Sequence, residues 1–394
     1  MAETATLDLP TFKGRTGWEF TELGDFTLEA WEPAPVAGTD FDAKHLLEPP
    51  AGAIELVQVD GASTEGTDDG LIVLPLLVAR ERHPELVEPH LGTIVRDVDA
   101  FTALNEREWE GGAFVHVPAG VVVDAPILLT AVTAAAGTIL NRRVLIVLEE
   151  GAEAEVWEQY VSGGAEATVL NTVVELRVGQ NAKLRYVCGQ ELNERSFIFG
   201  AQRAEVARDG ALDWVALGFG SAKGKVRMET LLAGPGADAK VTGAYAPHAR
   251  QHVDFDTTQE HGAPNTTSDL AFRGILADRS SAVWRGMIKV DPGAQQTDAF
   301  QVCRNLLLSK KAHADAIPGL EILANDVRCT HAAAVAQIDK EQLFYLRSRG
   351  LDQASSTRLV IEGFMAELVE RFEEGPMREA LGTALERRLH TLLG

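Results

Sequence analysis

Residues 318–350 read PGLEILANDVRCTHAAAVAQIDKEQLFYLRSRG, and two secondary-structure periods meet inside them. The first half alternates as a strand does, with Leu320, Ile322 and Ala324 on one face and Glu321, Leu323 and Asn325 on the other. It runs on to Val327-Arg328-Cys329-Thr330-His331, where a thiol and an imidazole stand two residues apart. On a strand that spacing puts both on one face, roughly 7 Å apart along the chain. From Ile338 the period changes. Asp339, Lys340, Glu341, Leu343, Phe344, Leu346, Arg347, Arg349 and Gly350 form the pattern of a helix with an acidic first turn, a basic last turn and a glycine stop. A long β region thus hands over to helices just past the one plausible reactive pair of the chain.

Upstream, strand-like runs at 114–123, 127–132, 144–148, 169–178 and 184–187 continue to about residue 336. Gly151, Gly179, Gly210 and Gly236 each open a turn and then a new strand, at steps of 28, 31 and 26 residues. One coil of a β-solenoid takes about that much chain. A sandwich predicts hairpins every 8–12 residues with stricter alternation. Alternation here is partial, so the residues alone leave both architectures open.

The flanks read differently. Residues 1–112 are mixed, mainly helical or irregular. In PTFKGRTGWEFTEL (10–23), Trp18 and Phe20 are expected to pin the segment to the body. Leu91, Ile94, Val95, Val98, Phe101 and Leu104 give a helical period over 84–110. Beyond residue 337, Ile361, Phe364, Met365, Leu368, Val369 and Phe372 form an amphipathic stripe that Gly375-Pro376 ends. A last helix over 377–393 carries Leu381, Leu385, Leu389 and Leu392.

The chain has 394 residues, 45% of them hydrophobic, enough to bury a sizeable core. A net charge of −22 disfavours binding to polyanions such as nucleic acid. Apolar runs such as 71–79 fall short of a membrane span. MAETATLDLPTFKG has neither the basic start nor the apolar core of a secretory signal. Cys188, Cys303 and Cys329 are odd in number with no Cys-x-x-Cys spacing, which argues against a stapled secreted domain or a zinc ribbon. A cytoplasmic location is expected. There is no G-x-x-x-x-G-K-S/T, G-x-S-x-G or H-E-x-x-H, so no ATP hydrolysis by this chain and no enzyme activity is expected. GFGSAKG at 218–224 reads as a turn.

Several polar groups invite a chemical reading. Cys329 and His331 suit iron, given a thiolate of lowered pKa, and equally suit a small buried hydrophobe beside a hydrogen-bonded neighbour. If 248–256 is one strand, His248, His252, Asp254 and Asp256 share a face, with His261 nearby, as a metal site or a solvated polar face. Gln295, Thr297, Asp298, Gln301 and Asn305 suit hydrogen-bonded ladders along a solenoid.

P-x-LEI-x-A-N/D-DV-x-C-x-H followed by DKEQLFYLRSRG resembles the SufB/SufD family of iron–sulfur cluster assembly proteins, and its Cys-x-His form is similar to the SufD branch. The SufB branch carries an acidic pair around the histidine and a cysteine after the Phe-Tyr pair; here those places hold Cys329, Ala332 and Leu346. The stretch at 10–23 and the series Gln251, Asp254, Thr257, His261, Pro264, Thr266, Ser268 also resemble family signatures. The resemblance implies a mainly β chain. A right-handed parallel β-helix over 113–336 would lie between an N-terminal region (1–112) and C-terminal helices (337–394). It implies SufB-type and SufC-type partners, and leaves open whether the isolated chain is a homodimer. His331, with Cys329 beside it, is expected at the SufB interface, His331 as an iron donor. The C-terminal helices are expected to dock the SufC-type ATPase through Leu343, Phe344, Tyr345, Arg347, Phe364, Met365 and Leu368, since an apolar stripe wider than one helix needs marks an interaction site. The cluster would be transient in the complex, with no cofactor held tightly by this chain alone. Two alternatives remain: a SufB-like scaffold acting without a separate SufD, which Leu346 disfavours, and a β-helix enzyme of acidic polysaccharides, which would need clustered acids and an export signal.

Overall fold

From Gly111 onward the chain lays strands alternately into two sheets. Gly111–Val117 enters the first, Ile127–Thr133 the second, Thr138–Leu148 the first again, and so on to His313–Ile322 and Arg328–Gln337. Each of these strands pairs in parallel with the strand two places further on. Hairpin-linked sheets would set sequence neighbours side by side and antiparallel. The sandwich is therefore excluded, and the computed structural model is a parallel β-solenoid of about eight coils with helices at both ends. It describes residues 9, 17–36, 38, 45–95 and 99–393; the expectations for residues 10–16 and for Val98 lie outside the described residues.

Coil length follows the glycine spacing. Along the second sheet Glu153 stacks on Lys183, then come Ala211, Asp238, Thr267, Asp298 and Arg328, at steps of 30, 28, 27, 29, 31 and 30 residues. The corner before this sheet is a column of left-handed residues: Gly120, Gly151, Asn181, Asp209, Gly236, Asn265 and Gln296. Each donates its N–H to a carbonyl of the next coil, from Gly120 to Glu150 through to Gln296 to Asp326. Gly, Asn and Asp tolerate that conformation best. Gly179 and Gly210, where the spacing placed the turn, are not left-handed residues. They serve close approach instead: a Cβ on Gly179 would fall 2.6 Å from Leu148 O.

Inward columns fill the lumen as a dry core. Tyr186 meets Trp214 edge-on at 5.8 Å, and Tyr245, Phe255, Phe272 and Trp284 continue as ring neighbours 5.5–6.2 Å apart. Each such burial contributes about 1.5–3 kcal/mol. The lumen also holds an ion pair: Arg142 meets Glu158 at 3.1 Å, Gln58 accepts from Arg142, and Tyr186 donates to Glu158.

The N-terminal part differs from the expectation of a mainly helical region. Ile54–Val59 extends the second sheet in parallel with Ile127–Thr133, and Ala62–Ser63 folds back on it. Leu71–Pro75 runs antiparallel to Gly111–Val117, and Thr67–Asp69 antiparallel to Leu71–Pro75. The helical period over 84–110 splits into α2 (Pro84–Val87) and α3 (Ala100–Glu108), after α1 (Leu76–Arg82). Between α2 and α3 the N–H groups of Ile94 and Val95 bond the buried Glu175 carboxylate, and Asp99 caps α3. Trp18 is buried and stacks on Phe101, whereas Phe20 stays exposed, with the Arg285 guanidinium over its ring.

Three helices close the chain: α4 (Lys340–Ser348), α5 (Gln353–Val369) and α6 (Pro376–Leu393). The α5 and α6 stripes bury Ile361, Met365, Leu368, Phe372, Leu381, Leu385 and Leu389 against the outside of the second sheet, around Trp157, Val187, Val215 and Phe219. Arg388 anchors α6, donating to Ala246 O and Gln251 Oε1. No side chain of α4 is buried.

Candidate functional site

The last coil ends both sheets. His313–Ile322 is the outermost strand of the first sheet and Arg328–Gln337 that of the second, each paired on one side only. Parallel register then fixes where every side chain points. Ser268, Ala299 and Cys329 form one column; Leu270, Gln301 and His331 the next; Phe272, Cys303 and Ala333 the third. All residues below the last in these columns are buried. Cys329 and His331 therefore share a face, as the two-residue spacing predicts, and that face is the inner one. With no further coil above it, His331 is exposed. Leu320, Ile322 and Val335 are exposed at 38%, 39% and 44%. The result is a mouth: an apolar collar around an imidazole.

Cys329 is half-buried beside Ile288, Val290, Ala299 and Ala324. Burial pushes its thiol pKa up, and the Asp298 carboxylate adds to the rise. The lowered pKa that a ready iron ligand needs is absent in this state. The small-hydrophobe reading suits Cys329 better. Cys188 and Cys303 are sealed in the core, where burial pushes both thiols up to about 12.

The second histidine group disperses. His248 lies in the turn before the strand His252–His261. Its Nδ1 accepts from Arg388 and its Nε2 reaches Glu194 at 2.7 Å. His252 bonds Thr21 and Ser281, and Asp254 takes Lys225 at 2.7 Å. His261 points into the core, bonded to Thr266 and Ser268. Burial holds His252 and His261 down at about 4, so both are neutral. Among the described residues no cluster of three or more His, Cys, Asp or Glu is placed to hold a metal.

The helical surface is partly as expected. Asp339 caps α4, accepting from the Glu341 N–H. Phe344 and Tyr345 stand 74% and 57% exposed, Arg347 is exposed and Leu343 half-buried. Met365 and Leu368 are buried in the chain's own core, which corrects their assignment to a partner surface. Phe364 is half-buried under the Arg273 guanidinium, 4.7 Å from its ring, and Glu367 pairs with the same arginine. Between α4, α5 and the end of the second sheet runs a groove of about 830 Å³ that includes Leu306, Ile338, Tyr345, Leu359 and Phe364. No helix of the described chain is long and apolar enough to cross a membrane.

What the sequence reading missed is the collar. Alternation placed Leu320 and Ile322 on one face, but only the coil count shows that no strand covers them. The available signal is the change of period at Ile338, which marks the last coil.

Comparison with known proteins places the chain in a family. Residues 131–364 match the family model described as SUF system FeS cluster assembly, SufBD core domain, and residues 57–129 match the SufBD protein N-terminal region. The iron–sulfur cluster assembly protein SufD of Bacillus subtilis is 30% identical over 400 residues, covering 98% of this chain and 91% of that protein. An iron–sulfur cluster assembly SufBD family protein of Mycobacterium tuberculosis is 30% identical over 310 residues, 77% of each chain. One of Staphylococcus saprophyticus is 29% identical over 322 residues, 80% of this chain and 67% of that protein. On the core match and the end-to-end similarity, this chain belongs to the SufBD family of iron–sulfur cluster assembly proteins.

Proposed function

We propose that this chain is the SufD-type subunit of a SufBCD scaffold, pairing with a SufB-type protein through the open mouth of its solenoid and with a SufC-type ATPase through its C-terminal helices. The observation that carries the reading is the uncapped last coil, where two strand edges, an apolar collar and His331 lie together. Free strand edges recruit a further strand. A partner solenoid docked end to end would cover the collar and enclose His331. The cluster is cargo here. Iron–sulfur clusters are held mainly by thiolates. With Cys188 and Cys303 sealed in the core, this chain offers the mouth one imidazole and one half-buried thiol. The remaining ligands would come from the partner, and the cluster would form across the interface and leave it. A second copy of the chain fits the same edges when no partner is present.

For the ATPase contact, α4 is the better candidate within the predicted surface. Phe344, Tyr345 and Arg347 are presented outward, and the groove against α5 adds Leu359 and part of Phe364. The experiment is co-purification with SufB-type and SufC-type proteins, then anaerobic cluster reconstitution on the complex. Wild type should give a stable complex and cluster. Leu320→Asp should lose the SufB-type partner and His331→Ala should keep it while losing cluster. Retention of the partner by Leu320→Asp, or of full cluster yield by His331→Ala, would refute the corresponding half.

A further inference from the structure

Two opposite charges line one cavity without pairing. The cavity, of about 290 Å³, lies where α6 crosses the second sheet, five strands back from the mouth. Arg388 of α6 lines it and is 5% exposed. Its guanidinium bonds neutral acceptors. Nε and Nη2 donate to Ala246 O, and Nη2 also to Gln251 Oε1 and His248 Nδ1. Among the described residues no carboxylate pairs with it, and Nη1 has no partner while staying open to the cavity. Buried charges are ordinarily paired. Burial holds the Arg388 pKa down at about 10, with the Glu191 and Glu194 carboxylates acting against the fall, so the group is charged at neutral pH.

Glu191 ends the strand Lys183–Glu191 and lines the same cavity, half-buried. Among the described residues its carboxylate has neither an ion pair nor a hydrogen bond. Glu194 stands beside it and takes the Nε2–H of His248 at 2.7 Å. Because Nδ1 of that ring accepts from Arg388, its proton is on Nε2 and the ring adds no charge. The cavity thus presents one unpaired cation and one unpaired anion, with a second carboxylate nearby. A simple anion would be repelled by Glu191 and Glu194, and a simple cation by Arg388. A ligand with both charges a short distance apart satisfies both. Ordinary ligand cavities measure about 300–1,000 Å³, so this one takes a small molecule.

We propose that the cavity binds a free α-amino acid, its carboxylate on Nη1 of Arg388 and its ammonium on Glu191. Ala246 and Gln251 hold the guanidinium in place beforehand, so binding has little left to order. The end of a peptide carries one of the two charges and lacks the other. The site is separate from the mouth and does not depend on the assembly reading.

The test is equilibrium dialysis of the full chain against radiolabelled L-alanine, which should show saturable binding of a single equivalent. Propionate lacks the ammonium and ethylamine lacks the carboxylate. Each should displace the label about tenfold less effectively than L-alanine, or worse. Glu191→Gln should weaken L-alanine binding about tenfold or more, erase its advantage over propionate and leave the thermal midpoint in place. Arg388→Met should lose binding as well, but it also releases α6 from Ala246 and Gln251, so Glu191→Gln carries the decision. Absence of saturable binding would overturn the proposal. So would unchanged affinity and preference in Glu191→Gln, or displacement by propionate as effective as by L-alanine in the wild type, which marks a site for anions alone.

Discussion

The two ends of the solenoid are finished in opposite ways. At the first coil, Leu71–Pro75 and Thr67–Asp69 close the first sheet with antiparallel strands, and Ala62–Ser63 folds back on the second. The helices α1 and α2 lie beside this end, with Ile72, Leu74, Leu76, Val87 and Phe114 buried together. At the last coil both sheets stop at a free edge, and inward residues stand in solvent. A stack of repeats needs its ends covered, because a terminal repeat otherwise exposes the surface meant for its neighbour. This chain covers one end with its own residues. The other end is left open, and Cys329 and His331 lie there.

The contrast breaks most readily at a buried position of the capped end. Val73 is fully buried in the lumen. Val73→Asp strands a carboxylate there and should cost more than about 3 kcal/mol, enough to lower the yield of folded protein. The same change at the open end, Leu320→Asp, should move stability by no more than about 0.5 kcal/mol. Urea titrations of both variants check this, and similar losses at the two ends would erase the distinction.

The next effect is on function alone. His331→Ala should leave the thermal midpoint in place and reduce cluster yield on the complex severalfold. Cys329→Ala should do less, since that thiol is half core and its pKa is raised. Equal losses from the two variants would restore Cys329 as a ligand.

A third comparison separates α4 from α5. Phe344→Asp with Tyr345→Asp should abolish capture of the SufC-type ATPase while leaving stability within about 0.5 kcal/mol. Phe364→Asp with Glu367→Lys should also destabilise the chain, because both residues hold Arg273. Pull-downs paired with melting curves distinguish the two outcomes.

The smallest effect is on acid sensitivity. Unfolded histidine titrates near 6.5, and burial holds His252 and His261 at about 4 in the fold. The unfolded chain therefore binds more protons across this interval. Stability from these residues is complete above about pH 6.5 and is lost as pH falls toward 4. His261→Gln, inside the closed core, should flatten the decline in urea midpoint between pH 7 and 5.

Much of this was legible in the residues. Glycine spacing gave the coil length, and the change of period at Ile338 gave the end of the solenoid. Asp339 signalled the start of α4 in its own chemistry. The two-residue step from Cys329 to His331 gave a shared face. Other features depend on stacking between coils, which no local pattern encodes. Asn181 and Asp209 take the left-handed corner that neighbouring glycines seemed to mark, because the hydrogen-bonded column sets that position. Ile54–Val59 became a solenoid strand by pairing with Ile127–Thr133, more than sixty residues on. The α5 stripe looked like a docking face until the second sheet covered Met365 and Leu368. Amphipathicity shows that a helix has an apolar face; it does not show which surface meets it.

The most direct measurement is hydrogen–deuterium exchange on the chain alone and in complex with a SufB-type protein. The amides of His313–Ile322 and Arg328–Gln337 that face the free edges should exchange rapidly in the chain diluted until it is monomeric and become strongly protected in the complex. Protection confined to the outer faces of the sheets or to the capped end, with these two strands unchanged, would contradict an interface at the open mouth.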